Sequence, residues 1–114
     1  MMQPRANSYL EHISCACAYI ASRVETASLA RYLSDEDLRF AIERNLITIG
    51  EAMVRVRDYD PETLVRIPGY RGAIGFRNVV VHDYHQIDDT QIWGIVTEFL
   101  PILAKDVREL LRGA

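Results

Sequence analysis

The segment Arg77-Asn78-Val79-Val80-Val81-His82-Asp83-Tyr84 concentrates side chains that can handle a phosphodiester. Histidine has the near-neutral pKa needed to move protons at physiological pH. An arginine fork offers fixed positive charge to a phosphate as negative charge builds on it. RNA carries its own nucleophile, the 2′-hydroxyl, so such a pair suffices for phosphodiester transfer with no metal and no cofactor. On a continuous helix Arg77 and Tyr84, seven apart, share a face, whereas His82, five after Arg77, points roughly 140° away. The three converge if the helix ends at about Val81 and the chain turns. They also converge if two copies of the chain bring their segments together. Taken singly, each has an ordinary structural role: Arg and His at a helix C-terminus, Tyr as a packing residue with a wet hydroxyl, Asn78 as a solvated or capping amide.

The charge distribution favours phosphate at this place. The chain has 114 residues and a formal net charge of −3, a weak basis for nonspecific nucleic-acid binding. From Thr63 through His82, however, there is no Asp or Glu, and Arg66, Arg71 and Arg77 all fall inside. A local basic stretch leads into the segment, with Arg71 and Asn78 as candidate supporting groups.

The elements that must position these residues read as helices almost throughout. Leu10, Ile13, Cys17, Ile20 and Val24 recur at spacings of three and four, the period of one helical face. A break is expected near Arg31 to Ser34, followed by a cap and acidic first turn at Ser34-Asp35-Glu36-Asp37. Leu38, Ile42, Ile49, Met53 and Val56, broadened by Ala41 and Leu46, then define a second helix. Pro61 starts a short turn, a third helix begins between Gly69 and Ala73 and stops around His82 to His85, and Asp88-Asp89 caps a fourth. That last helix carries Ile92, Val96, Phe99, Leu103, Val107 and Leu110, with Pro101 expected to kink it. No alternating run supports a sheet.

The fold class is therefore all-α, an up-and-down bundle of four to five helices in a single domain, 1–114. Wide apolar faces on the first, second and fourth helices leave surplus surface for a partner subunit. Cys15 and Cys17 point about 200° apart on a helix, which disfavours a disulfide and suits buried free thiols in a reducing cytosol. Met1 to Leu10 lacks the apolar core of a secretory signal, and no apolar run spans a bilayer, so a cytoplasmic protein without membrane contact is expected.

Arg77-Asn78-x-x-x-His82-x-Tyr84 resembles the R-x4-H-x-Y signature of HEPN-domain proteins, specifically the HepT-like toxin family. The likeness extends in order through Ile49-Gly50-Glu51-Ala52, Ile67-Pro68, Ile87-Asp88, Ile92-Trp93 and Leu100-Pro101-Ile102-Leu103, covering about Ser8 to Leu111. One departure is Pro68-Gly69-Tyr70, where the family often has Pro-Trp; altered local packing or a shifted helix start is expected there. The resemblance implies a HEPN-like bundle that forms a homodimer with the motif at the interface. It implies a metal-independent ribonuclease acting on RNA as the toxin of a toxin–antitoxin pair, with Arg77 and His82 catalytic. It further implies that Tyr84 accepts AMP from a cognate MntA-like nucleotidyltransferase antitoxin.

Other readings use the same residues differently. His82, Asp83 and His85 could start a metal site but lack a distant fourth ligand, since His12 is the only other histidine. Asp35-x-Asp37 has the paired carboxylates of a nucleotidyltransferase, yet no Gly-Ser loop precedes it. Glu51 reads as a surface carboxylate rather than a catalytic one. The main rival is a noncatalytic helical dimer that binds a nucleotide or a nucleotidyltransferase, with the Arg77–Tyr84 segment as contact surface.

Overall fold

The computed structural model describes Gln3–Gly113; Met1, Met2 and Ala114, which the 1–114 domain reading includes, lie outside the described residues. All regular structure among the described residues is helical. Long helices α1 (Pro4–Glu25) and α3 (Glu36–Tyr59) are linked by the short α2 (Leu29–Ser34). The short α4 (Pro61–Leu64) leads to α5 (Tyr70–His82), and a 3₁₀ turn (Tyr84–Gln86) to α6 (Asp89–Gly94). A π-helical turn (Ile95–Phe99) joins α6 to α7 (Leu100–Gly113).

α3 is the spine, packed by α1 on one side and α5 on another, while α7 closes on α1 and α6 on α2. The predicted stripes meet in one core: Leu10, Ile13 and Ile20 from α1, Ile42, Leu46, Ile49, Met53 and Val56 from α3, Leu103 and Val107 from α7. Truncating one such buried Leu, Ile or Met to Ala costs about 2–5 kcal/mol. The exposed Arg31–Asp35 ion pair at 2.9 Å is of a kind that contributes about 0–1 kcal/mol. Stability therefore resides in the stripes, not in the surface charges.

Two expectations change and two hold. The break near Arg31 to Ser34 is itself helical, because the Ser28 side chain caps α2 by accepting from the Arg31 N–H at 3.1 Å. The expected cap and acidic first turn of α3 hold: Asp35 accepts from the Leu38 N–H at 3.0 Å, with Glu36 and Asp37 following. Exposed apolar side chains do remain on the long helices, Tyr19 on α1, Phe40 and Tyr59 on α3 and Ile102 on α7, and more stand at Leu29 and Leu33 of α2, at Val65, and at Val79, Val81 and Tyr84. Of the two free thiols only Cys17 is buried, and burial pushes it up to about 12; Cys15 is exposed.

Pro101 lies in the first turn of α7, immediately after the π-helical turn. Proline has no N–H to donate, and its ring collides with the carbonyl four residues back, here Thr97. A wider turn just ahead of the proline relieves that crowding and lets the helix continue. The Thr97 hydroxyl donates to the Trp93 carbonyl at 2.8 Å within the same stretch.

Asp60 ties the two ends of the long helices together. Its carboxylate accepts from the Gln3 N–H at 3.1 Å, the Thr63 N–H at 3.2 Å and the Thr63 hydroxyl at 2.7 Å. Those bonds, the Thr63 hydroxyl first, hold its carboxyl below the usual range. The resulting stabilisation is complete above the ordinary carboxylate pKa and fades as pH falls through the lowered one. Asp60→Ala should therefore lose about 1 kcal/mol at neutral pH, and the difference from the parent should shrink on acidification in urea unfolding curves.

Candidate functional site

The site begins with an unusually close helix crossing. A Cβ added to Gly50 on α3 would lie 2.1 Å from Arg77 Cβ, 2.8 Å from Arg77 Cγ and 3.0 Å from the Ala73 carbonyl oxygen. Real carbon atoms do not approach so closely, so glycine is what lets α5 rest its Ala73–Arg77 face on α3. Ala73 and Val80 are buried on the same helix, and together they seat α5 against the spine.

Arg77 is thereby fixed at its stem. Its guanidinium Nη2 lies 3.7 Å from Glu51 Oε1, and Nη1 donates to Asn78 Oδ1 at 3.0 Å. Nε is buried without a hydrogen-bond partner among the described residues, an arrangement that carries a free-energy penalty. Glu51 is exposed, as the sequence suggests, yet it faces the arginine. The pairing follows from position: Glu51 adjoins the residue that touches Arg77.

α5 is helical through His82, its last residue, and Asp83 caps it by donating its N–H to the Val79 carbonyl at 2.9 Å. Ending the helix at Val81 is thus not how the chain gathers its motif. Within one chain His82 remains roughly 140° around the axis from Arg77, exposed at the helix end beside exposed Val79 and Val81. The shared face expected for Arg77 and Tyr84 is also lost, because Tyr84 lies beyond the helix in the 3₁₀ turn.

Tyr84 belongs to a different electrostatic neighbourhood. Glu43, then Asp89 and Glu36, hold its phenol above the ordinary value, with Arg39 opposing. Glu43 is itself buried, and burial followed by the charge of Asp89 raises its carboxyl. Asp89 also sits 3.7 Å from Arg39. Antiparallel packing sets this arrangement: Arg77 meets α3 at Gly50, and Tyr84, seven residues later, stands toward Glu43, seven residues earlier. The motif's two ends therefore address α3 about 10 Å apart along its axis.

The arginines of the acid-free stretch do not converge. Arg66 borders a groove shared with Glu11, Asp60 and Glu62, and Arg71 donates from Nε to the Tyr70 hydroxyl at 3.0 Å, with its guanidinium 5.6 Å from that ring. Arg77 instead shares a groove of about 480 Å³ with Arg55, Arg57, Glu51, Val54, Ile74 and Asn78. Arg55 and Arg57 escaped the sequence reading because they are far from the motif in the chain. A signal existed for Arg57 alone: Val54 and Arg57 follow Gly50 at four and seven, on its face of α3, whereas Arg55 lies about 140° around the axis. Among the described residues no three His, Cys, Asp or Glu side chains stand together as metal ligands, so the His82–Asp83–His85 alternative gains no geometric support. At the Pro68-Gly69-Tyr70 departure, α5 starts at Tyr70 and a Gly69 Cβ would come within 2.7 Å of Phe99 Cζ. The bulk at that corner comes from Phe99.

A family model described as Ribonuclease HepT-like matches residues 13–110, a span that includes the Gly50 crossing and the complete motif. The chain belongs to this family. It is 31% identical over 112 residues to a candidate RNase of Caldanaerobacter subterraneus subsp. tengcongensis, covering 98% of this chain and 97% of that protein. A candidate RNase of Methanocaldococcus jannaschii is 32% identical over 76 residues, 67% of this chain and 69% of the relative. A candidate HepT ribonuclease of Thermococcus cleftensis is 28% identical over 102 residues, 90% and 92% respectively. No solved structure matches the chain. The HepT-like resemblance and the all-α architecture read from the sequence both hold.

Two glycines on the crossing helices separate packing from propensity. Gly50→Ala must push α5 off α3, with a cost of about 1–3 kcal/mol against a helix-propensity gain of about 1 kcal/mol. A net loss of thermal stability and a displaced Arg77 are expected. Gly75, with nothing within 4 Å of an added Cβ, should gain about 0.5–1 kcal/mol as Gly75→Ala. Differential scanning calorimetry of the two variants checks the opposite signs.

Proposed function

We propose that the chain is a metal-independent endoribonuclease toxin of a type VII toxin–antitoxin system, acting in the cytoplasm. RNA is cleaved at an Arg77/His82 site formed between two copies of the chain. AMP transfer to Tyr84 from an MntA-like nucleotidyltransferase antitoxin neutralises it. The observation that carries the reading is the split presentation of the motif: Arg77 is anchored on α3 while His82 stands exposed at the end of α5. The exposed apolar residues Val79 and Val81 beside His82 give a second copy of α5 something to pack against.

A twofold axis near the end of α5 pairs the Arg77 of each copy with the His82 of the other, giving two equivalent sites. At each site the imidazole takes the proton of the ribose 2′-hydroxyl as its oxygen attacks phosphorus. The departing 5′-oxygen takes up a proton, from water or from the imidazolium so formed, leaving a 2′,3′-cyclic phosphate and a 5′-hydroxyl. The Arg77 fork neutralises the charge that grows on the nonbridging oxygens.

Adenylylation joins the Tyr84 oxygen to the α-phosphorus of ATP and releases pyrophosphate. A tyrosine phenol is protonated at neutral pH and the neighbouring carboxylates push it further up, so the antitoxin supplies a base for its proton. The added phosphate brings bulk and negative charge to a site that needs phosphate to enter, which repels RNA.

Purified chain incubated with RNA in EDTA should yield fragments ending in 2′,3′-cyclic phosphate. Arg77→Ala and His82→Ala should each slow cleavage by about 10²-fold or more. Intact-mass measurement after coexpression with the nucleotidyltransferase should give a gain of whole AMP units, absent in Tyr84→Phe. Intact RNA with a dimeric, unmodified chain would instead favour the noncatalytic binding protein.

A further inference from the structure

We propose that the groove between α3 and α5 lined by Arg55, Arg57, Arg77 and Asn78 binds the phosphate backbone of single-stranded RNA, with Arg55 and Arg57 as substrate-binding residues. The inference rests on the ribonuclease reading for its substrate class and extends it to residues outside the motif. Three arginines and one glutamate line this groove, in a chain whose net charge is −3. No carboxylate pairs with Arg55 among the described residues, and Arg57 approaches only its neighbour Asp58, at 3.9 Å. Both side chains are exposed.

The chemistry of the lining fits a nucleic-acid strand rather than a small anion. Val54 and Ile74 supply an apolar floor for ribose or base, and Asn78 supplies an amide that both donates and accepts, suited to a 2′-hydroxyl. From Glu51 to Arg57 the lining contributed by α3 runs about 9 Å along that helix. Arg77 stands at the Glu51 end, so a strand lying in the groove is delivered to the residue assigned to the scissile phosphate. The wider groove near α1, about 970 Å³, places Glu11, Asp60 and Glu62 around a single Arg66 and has the wrong sign for the task. Glu51 occupies Arg77 in the free chain and yields it when a phosphate arrives, since Arg–phosphate pairing is bidentate and stronger than a 3.7 Å ion pair.

The test uses the full chain carrying His82→Ala, so that RNA binding is read without cleavage, with a fluorescent oligouridylate as probe. Adding Arg55→Ala and Arg57→Ala should weaken binding about tenfold or more and flatten the salt dependence by about 0.7 per arginine removed. Arg23→Ala with Lys105→Ala makes the same change in net charge on other surfaces and should leave affinity and slope unaltered. Equal losses in the two double variants would reduce the effect to overall charge and overturn the groove. Unchanged affinity in Arg55→Ala/Arg57→Ala, with the parent chain cleaving RNA, would overturn it while leaving the ribonuclease reading in place. Groove-dependent binding with no cleavage by the parent chain would support the groove and defeat the catalytic assignment.

Discussion

The crossing of α5 over α3 at Gly50 is the constraint on which the site depends. A single missing Cβ allows the Arg77 stem to lie on the spine helix, and everything beyond it follows from that contact. It fixes the register of the two helices, turns the guanidinium toward Glu51 and Asn78, and leaves the last turn of α5 to project His82 into solvent. The buried Nε of Arg77, without a partner among the described residues, marks the same place as one where the fold accepts a penalty. Such penalties persist where surrounding packing over-determines the geometry, and they concentrate at functional sites.

Antiparallel packing then zones the motif electrostatically. At the Gly50 level α5 meets Arg55 and Arg57 across a groove; at the Glu43 level the chain after α5 meets Glu43, Asp89 and Glu36. A basic region for phosphate and an acidic region around a protonated tyrosine thus stand about 10 Å apart on one helix. The separation suits two different reactions on the two halves of one motif. Phosphate attracted to Arg77 meets a single carboxylate, Glu51, and a phosphate placed on Tyr84 adds to negative charge already there.

Much of this was legible in the sequence, and what was not has physical reasons. The apolar stripes Leu10–Val24, Leu38–Val56 and Ile92–Leu110 identified the long helices because core burial enforces a 3.6-residue period. Asp60-Pro61 and Asp88-Asp89 announced their caps because those side chains have one local job. α2 escaped because six residues carry too little periodicity, and only Ser28 betrays its start. The end of α5, expected around His82 to His85 and found at His82, keeps Arg77 and His82 on one helix and puts Tyr84 beyond it. Arg55 and Arg57 became part of the site only through the tertiary contact at Gly50. The acid-free stretch misled for the same reason: proximity in sequence put Arg66 and Arg71 beside Arg77, and the fold sends each elsewhere.

The central claim is that Arg77 and His82 act together across two chains, because one helix holds them roughly 140° apart. Mixing Arg77→Ala protein with His82→Ala protein under conditions that exchange subunits, then assaying RNA cleavage, tests this directly. In a symmetric dimer each mixed pair rebuilds one complete site from the intact Arg77 of one chain and the intact His82 of the other, so activity should recover to about a quarter of the parent level. A mixture as inactive as either variant alone, with the parent chain active, would contradict the shared site.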